Sequence, residues 1–330
     1  MKNEPIAQGK DTVDVSVIIV NWNSKDFLRQ CLKSLFTHCQ RVGCEVIVVD
    51  GASYDGCGEM LAREFPSVIF IQSDKNVGFA KANNLGARQA CGEYLLLLNP
   101  DTEFTTDTIS ALHACAKIHP DAGAMGCRLL NADRSLQTSC VQAFPTVINQ
   151  ALDSEFLRKL FPRSKLWGTG PLYAAGHTAV SAEAISGACI LVNRTYFESV
   201  GGFTESYFMY GEDMDLCYKL THAGHGSYYV PADSLIHYGG ASTSQAASNF
   251  STVMMRSSVH QFIRLHHGAG SALAYRLSTT LSALIRLILI IPLLFLGKRV
   301  VSHGSGSLRK WAAILRWSVG LPLKSAAKSK

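Results

Sequence analysis

The hydrophobic pattern changes period several times along the chain. Residues 15–20 (VSVIIV) and 45–49 (EVIVV) are continuous β-branched runs, the pattern of strands buried on both faces of a parallel sheet. Between them Phe27, Leu28, Cys31, Leu32, Leu35 and Phe36 recur at helical spacing, which predicts one βαβ unit. Residues 68–71 predict a short strand, 78–91 a helix with small residues, and 94–98 (YLLLL) a buried strand running into Asn-Pro-Asp. This alternation predicts a doubly wound α/β architecture, with ligands at the carboxyl ends of the strands. From 128 to 180 the regularity fades into Ser, Thr, Gly and Pro, which predicts loops over a site, suited to an acceptor. Order returns in a strand at 186–192 (SGACILV), a short helix at 194–200, and a helix at 212–223 whose buried side carries Leu216, Cys217 and Leu220. The expected organisation is a polar segment 1–13, a main domain 14–245 and a helical extension 246–330.

Charge divides the chain in a way that the net value of +6 conceals. Asp233 is the last acidic residue, and the remainder of the chain holds twelve Lys or Arg. The body before it carries nineteen bases against twenty-five acids. A block of one sign points to a partner of the other, nucleic acid or an anionic membrane. Nucleic acid wants its basic patch on the folded domain, so the acidic body argues against it. Within the extension, residues 277–297 carry one charge, Arg286, and are interrupted by Pro292. A central Arg costs about 2.5–3.5 kcal/mol of insertion while each Leu or Ile returns about 0.3–0.6, so spanning is marginal. The uncharged stretch 287–296 covers only about half of a roughly 30 Å hydrocarbon core. Further on, Leu308, Trp311, Ile314, Leu315 and Val319 share a helical face, with Arg309, Lys310 and Arg316 largely off it, a basic amphipathic pattern suited to a lipid interface. Residues 270–320 are therefore expected to attach peripherally or monotopically to a membrane; the alternative is that both helices cap the globular core.

With 47% hydrophobic and 17% charged residues the chain is neither disordered nor collagen-like. Its ten cysteines include no C-x-x-C pair and read as reduced core thiols. The polar start MKNEPIAQGKDTVD predicts no secretory leader and a cytoplasmic body.

Motifs narrow the chemistry. There is no G-x-G-x-x-G after a strand, no P-loop and no H-E-x-x-H, which disfavours NAD enzymes, P-loop kinases and zincins. Instead acids stand at strand ends: Asp50 before GASYDG, Asp101 and Glu103 in NPDTE, and Glu212, Asp213 and Asp215 in YGEDMD. Asp101 and Glu103, two apart just past a strand, are suited to one hard cation such as Mg²⁺ or Mn²⁺, which neutralises a diphosphate leaving group. Pro-Asp-Thr-Glu is equally a good turn and helix start, and Glu212 and Asp213 equally suit the first turn of a helix. His237, before Gly239-Gly240, is equally a structural histidine.

The order of these elements separates the alternatives. VSVIIVNWNS, VIVVDGASYDG, NVGFAKANNLGA, YLLLLNPDTE, SGACILVNR, GGFTESYFMYGEDMDLCYKL and HYGG together resemble the inverting glycosyltransferase family 2, and within it the rhamnosyltransferase-like branch of bacterial surface polysaccharide synthesis. The resemblance covers about residues 14–240. It implies a GT-A fold, a Rossmann-like nucleotide-diphospho-sugar transferase, carrying the C-terminal basic, apolar helices as an extension. By the family pattern, Val20, Asn21 and Asp50 line a nucleoside pocket, and Asn76, Gly78 and Asn83 hold the nucleotide with Asn84 nearby. Asp101 matches the metal-binding aspartate of the D-x-D position, Glu103 stands where a second acid often stands, and His237 completes the metal shell. Asp213 matches the general base; Glu212 and Asp215 are expected near the acceptor or behind the base. Two departures are Asp50-Gly51 in place of Asp-Asn, and Asn99-Pro100 in place of the leading acids of D-x-D, which leaves fewer charges for the cation. The resemblance implies transfer of a sugar, with dTDP-rhamnose as the expected donor, to a lipid-linked saccharide at the cytoplasmic face of the inner membrane. Two other classes stand against it. A sugar nucleotidyltransferase wants a glycine-rich basic loop after the first strand, where NWNSKDF has only Lys25; a silent membrane scaffold has no need of both Asp101 and Asp213.

Overall fold

The computed structural model of the protein describes residues 13–152, 157, 160, 161, 164, 166, 178–239, 248–293 and 298–321. The expectations for residues 1–12, for a boundary near 245 and for 294–297 lie outside the described residues. The two β-branched runs form β1 (Val15–Asn21) and β2 (Cys44–Asp50), joined by α1 (Lys25–His38). The face of α1 that carries Leu28, Cys31, Leu32 and Leu35 is completely buried, and each such Leu stabilises by about 1.5–3 kcal/mol relative to exposure. There follow α2 (Cys57–Glu64), β3 (Ile69–Gln72), α3 (Phe79–Ala87), β4 (Tyr94–Leu98), β5 (Thr102–Phe104), α4 (Thr108–Ile118) and β6 (Ala122–Leu130). Next come β7 (Val141–Gln142), α5 (Val147–Ala151), β8 (Val180–Ala182), β9 (Ala184–Ile185), β10 (Cys189–Asn193), α6 (Arg194–Ser199), α7 (Glu212–His222) and β11 (Gly226–His237). The last two are α8 (Ser248–Leu293) and α9 (Lys298–Ser318).

The main sheet runs β3, β2, β1, β4, β10, β6, β11, β5, with β8 beside β11. β3, β2, β1 and β4 are parallel, whereas β10 is antiparallel to both β4 and β6. Strand order reverses between β1 and β4, so the carboxyl ends of those two strands open a crevice where ligands collect in such sheets.

Two strands go beyond the sequence reading: β6, which only at 128–130 enters the loops expected over 128–180, and β11, which replaces the short apolar stretch expected before His237. β6 reads weakly because packing demands small residues: a Cβ on Gly126 would lie 2.0 Å from the side chain of Ile185. β11 reads weakly because a bulge between Val230 and Ser234, around Pro231, breaks its alternation. The helix expected over 78–91 is shorter, ending at Ala87. Seven of the ten free cysteines are buried, and burial pushes the Cys31 thiol up to about 12; Cys91 departs from the expectation by being exposed.

The chain forms two compact units, one of Met1–Phe144 with Phe161–Ser242, the other of Pro145–Leu160 with Thr243–Lys330. The second therefore takes in a stretch around α5 that the sequence reading placed in the main domain. There α5 packs on α8, with Pro145 O accepting a hydrogen bond from His267 Nε2 at 3.1 Å. α8 breaks at Gly268, whose φ of 84° no helix contains.

Candidate functional site

Parallel register places Asn21, Asp50 and Gln72 side by side at three strand ends. Their side chains bond accordingly. Asp50 Oδ1 accepts from Asn21 Nδ2 at 2.8 Å and Ser53 Oγ at 2.6 Å; Oδ2 accepts from Ser53 N at 2.8 Å and Gln72 Nε2 at 2.9 Å. Burial alone would raise this carboxyl, but the four donors outweigh it and hold it below the usual range. Asn21 and Asp50 are almost wholly enclosed, so they sit beneath the surface of the expected nucleoside pocket. Val20 is half-buried above them. The turns after these strands carry left-handed backbone at Asn23 (φ 49°) and Ala52 (φ 59°), and Trp22 is 39% exposed there.

A second loop follows β3. Asn76 Oδ1 accepts the Gly78 N–H at 2.9 Å, and Gly78 has φ 86°. A side chain at Gly78 would bring a Cβ within 2.6 Å of Phe208 O, the same oxygen that accepts from Phe79 N at 3.0 Å. The Asn-x-Gly loop is thus stitched to the segment that leads into α7. Asn83 is fully buried and donates to Phe79 O at 3.0 Å. Asn84 donates to Phe203 O and accepts from Phe203 N, both at 2.9 Å, clamping the turn before α7.

Past β4, Asp101 Oδ1 lies 3.3 Å from His237 Nε2. Gln137 Oε1 stands 2.7 Å from His237 Nδ1 and accepts its proton, so that in the neutral imidazole Nε2 is the lone-pair donor and faces the carboxylate. Asn99 Nδ2 is also 3.3 Å from Nε2. Two electron-pair donors facing each other fit a divalent cation with oxygen and imidazole ligands.

Glu103 does not join them, which corrects the expected trio. In the antiparallel pair β5 and β11, Thr102 stands opposite His237 and Glu103 opposite Ile236, so alternation turns Glu103 to the other face. There it accepts from Gln30 Nε2 at 2.7 Å and from the Tyr238 hydroxyl. The two-residue spacing misleads because Asp101 lies in the turn before the strand, where Thr102 Oγ1 donates to Asn99 O at 2.8 Å. Among the described residues no three His, Cys, Asp or Glu side chains converge on one metal position. A surface cleft of about 440 Å³ beside α1, lined in part by Arg29, Lys33 and Glu103, contains neither Asp101 nor Asp213.

α7 starts abruptly from left-handed Tyr210 (φ 69°) and Gly211 (φ 83°), which puts Glu212, Asp213 and Asp215 in its first turn. Asp213 Oδ2 accepts the Gly187 N–H and Oδ1 the Met214 N–H, each at 2.8 Å. Its carboxyl is raised by desolvation against the pull of those amides, while its surface remains partly open. A Cβ on Gly187 would sit 3.3 Å from Asp213 Cβ, so the close approach depends on glycine. The same loop ties the two halves of the site: Ala188 O accepts from Asn99 N at 3.0 Å.

Glu212 is buried beside Asp213, and its Oε2 has no hydrogen-bond partner among the described residues. Burial, and then the neighbouring Asp213 charge, push its carboxyl up to about 8. In the unfolded chain it titrates near 4.5, so the protein loses stability as pH rises from about 4.5 to about 8. Glu212→Gln is expected to flatten that loss, measured as melting temperature across the pH range; a parallel fall in both proteins would show that Glu212 is already ionised in the fold.

Asp215 is fully buried, accepts from Thr204 Oγ1 at 2.5 Å and lies 3.6 Å from Lys219 Nζ. It braces the turn at 202–204 from behind Asp213. Gln137, Gln72, Ser53, Trp22 and Gly187 also contribute, and sequence reading missed them. Gln137 falls in the segment read as irregular, and only the lone Gly187 before a buried strand carried a signal.

Comparison with known proteins follows the same outline. The family model described as Glycosyl transferase family 2 matches residues 16–181. An N-acetylglucosaminyl-diphospho-decaprenol L-rhamnosyltransferase of Mycobacterium tuberculosis (strain ATCC 25618 / H37Rv) is 32% identical over 241 residues, covering 69% of this chain and 76% of the relative. Rhamnosyltransferase WbbL of Escherichia coli (strain K12) is 27% identical over 234 residues, covering 68% and 83%. Among solved structures, a mannosyltransferase from Pyrobaculum calidifontis in complex with GDP-Man and Mn²⁺ matches with a TM-score of 0.57 at 16% identity, over 94% of this chain and 88% of that one. The likeness identifies the main sheet as a GT-A-type fold.

Proposed function

Because the chain belongs to glycosyl transferase family 2 and is a glycosyltransferase, we propose that it moves a sugar from a nucleotide-diphosphate donor, with inversion, to a lipid-linked saccharide acceptor. The observation that carries this reading is the placement of Asp213: a desolvated, partly open carboxylate pinned by two backbone N–H groups, and bridged through Gly187, Ala188 and Asn99 to the Asp101 and His237 pair. Inversion requires a base on the side of the anomeric carbon opposite the leaving group, and Asp213 takes the acceptor hydroxyl proton as its oxygen attacks. The amides hold one edge of each oxygen and leave lone pairs for that proton. The transition state is oxocarbenium-like, as in other glycosyl chemistry, and no covalent sugar intermediate is needed.

Asp101 and His237 would hold a divalent cation, Mg²⁺ or Mn²⁺, which when bound offsets the charge of the departing diphosphate. Val20 and the turn around Trp22 face the nucleoside, with Asn21 and Asp50 setting the shape beneath it, and the Asn76 to Gly78 loop borders the diphosphate. Rhamnose from dTDP-rhamnose is the proposed donor. Support comes from the rhamnosyltransferase names of the relatives, one of which acts on an N-acetylglucosaminyl-diphospho-decaprenol. The enzyme is assigned to cell-surface polysaccharide synthesis at the cytoplasmic face of the inner membrane, with residues 14–245 as the transferase domain and 246–330 as the membrane-associating region.

A panel of nucleotide sugars, each with Mn²⁺ and with Mg²⁺, tests the donor by thermal shift. Saturation at about 100 times Kd stabilises by about 2.7 kcal/mol, so the true donor raises the melting temperature by several degrees. The expected result is a shift with dTDP-rhamnose above that with UDP- or GDP-hexoses. A larger shift with another donor overturns the rhamnose assignment, and no shift with any donor overturns the transferase site.

A further inference from the structure

The second unit presents two opposite helical faces with different partners. After the break at Gly268, Ala272, Tyr275, Thr279 and Ala283 of α8 are buried at three- and four-residue spacing, the pattern of a helix seam. α9 lies antiparallel against that side. Arg276 Nη2 donates to Trp317 O at 3.0 Å and Nε to Ser318 O at 3.2 Å, whereas ten residues later the Arg286 guanidinium sits 4.2 Å above the Trp311 ring. Arg276, just before the apolar run, and Arg286, within it, are therefore both occupied by α9, through the last carbonyls of that helix and through an aromatic face.

The other side of α8 is apolar, and nothing among the described residues covers it. Leu273, Leu277, Leu281, Leu284, Ile285 and Ile288 are each between 42% and 66% exposed. At about 100° per residue they occupy an arc of about 120°, a continuous stripe about 22 Å long. Such a patch is large for a surface facing water. Two arguments commit it to one occupant. The chain from 234 onward contains twelve bases and no acid, so the stripe is accompanied by charge of a single sign, complementary to anionic lipid and repulsive to a second copy of itself. Arg309 and Lys310 are exposed and, by the antiparallel pairing that places Trp311 on Arg286, lie level with the densest part of the stripe. A hairpin that crossed the bilayer would carry those two charges to hydrocarbon depth; one lying flat keeps them among headgroups.

We propose that the α8 and α9 hairpin is an in-plane membrane anchor: the Leu273 to Ile288 stripe enters one leaflet of an anionic bilayer, and Arg309 and Lys310 engage its phosphates. By length and composition alone Phe250–Ile290 is able to cross a membrane, but the break at Gly268 and the level of Arg309 and Lys310 oppose it. This deepens the membrane-associated reading given above and rests on it, yet does not depend on the sugar-transfer chemistry.

The test uses the full chain and vesicles of phosphatidylcholine with 30% phosphatidylglycerol. Binding is expected to be at least tenfold tighter than to phosphatidylcholine alone and to weaken with salt. Leu277→Ser with Leu281→Ser and Ile288→Ser, all at exposed positions, is expected to weaken it at least tenfold with an unchanged melting temperature. In a Cys91→Ser background, which removes the exposed thiol, spin labels at 273, 277, 281 and 288 are expected to lie at one shallow depth and a label at 309 to stay at the headgroups. Depths that pass through a maximum along the helix, or a buried label at 309, establish a spanning hairpin and overturn the proposal. Unchanged vesicle binding by the triple variant, or a dimer in solution that the triple variant dissociates, overturns it as well. Donor-induced thermal shift in the same variants reports on the transferase reading separately: vesicle binding without any shift leaves the anchor standing and removes the assigned activity.

Discussion

Replacing Asp213 by asparagine is expected to lower turnover roughly a thousandfold while donor binding stays nearly intact. A positioned general base contributes about 10²–10⁴-fold, and a thousandfold corresponds to about 4 kcal/mol of barrier. The substitution is nearly isosteric and keeps one carbonyl oxygen for the Gly187 or the Met214 amide, so the start of α7 should hold. What it removes is the site that receives the acceptor proton. The measurement is single-turnover transfer to a lipid-linked acceptor, alongside Kd for the donor nucleotide. Near-wild-type turnover would sink the assignment of the base. A matched fall in binding and turnover would instead mean that Asp213 supports the architecture around Gly187.

The second large effect concerns the pair of facing donors. Asp101→Ala is expected to reduce Mn²⁺-dependent donor affinity on the order of a hundredfold, since even the loss of a residue that only orients a ligand typically costs 10–100-fold. Gln137→Ala, which releases the Nδ1 proton of His237, is expected to fall at the lower end of that range. Glu103→Ala is expected to leave the Mn²⁺ titration unchanged, because its carboxylate faces Gln30 and Tyr238. The three titrations, followed by calorimetry with the donor nucleotide, distinguish the geometry from the motif. If Glu103 mattered as much as Asp101, the strand alternation that separates them would be the wrong guide.

How much of this was legible beforehand varied with the range of the interaction. Local periodicity found β1, α1, β2 and β4, because a buried strand or an amphipathic helix writes its pattern into consecutive residues. It missed β6, where Gly126 must yield space to Ile185, and β11, where a bulge interrupts the alternation. Both are central to the sheet, and both owe their sequences to neighbours far along the chain. The motif order placed Asp213, Asp101 and His237 in candidate roles, but it grouped Glu103 with them on spacing alone. It left open whether Asp215 stands near the acceptor or behind the base, and put Asn84 only near the nucleotide; each spends hydrogen bonds on the turn around Phe203 and Thr204.

The sequence by itself determined the alternating α/β pattern of the first hundred residues, the acids at the strand ends and the division of charge at Asp233, since these are properties of composition and local period. Only the tertiary structure decided which of those acids share a face and which are held by other side chains. Register between β5 and β11 sends Glu103 away from His237, register between β1, β2 and β3 folds Asp50 into a closed hydrogen-bond row, and the approach of Gly187 to α7 pins Asp213. Within the second unit, packing of α9 on α8 occupied Arg276 and Arg286 and left the leucine stripe uncovered. The physical reason is common to all four cases. A side chain's direction within its own element follows from local backbone geometry, whereas the group it meets belongs to a segment tens to hundreds of residues away, brought there by pairing and packing of the whole.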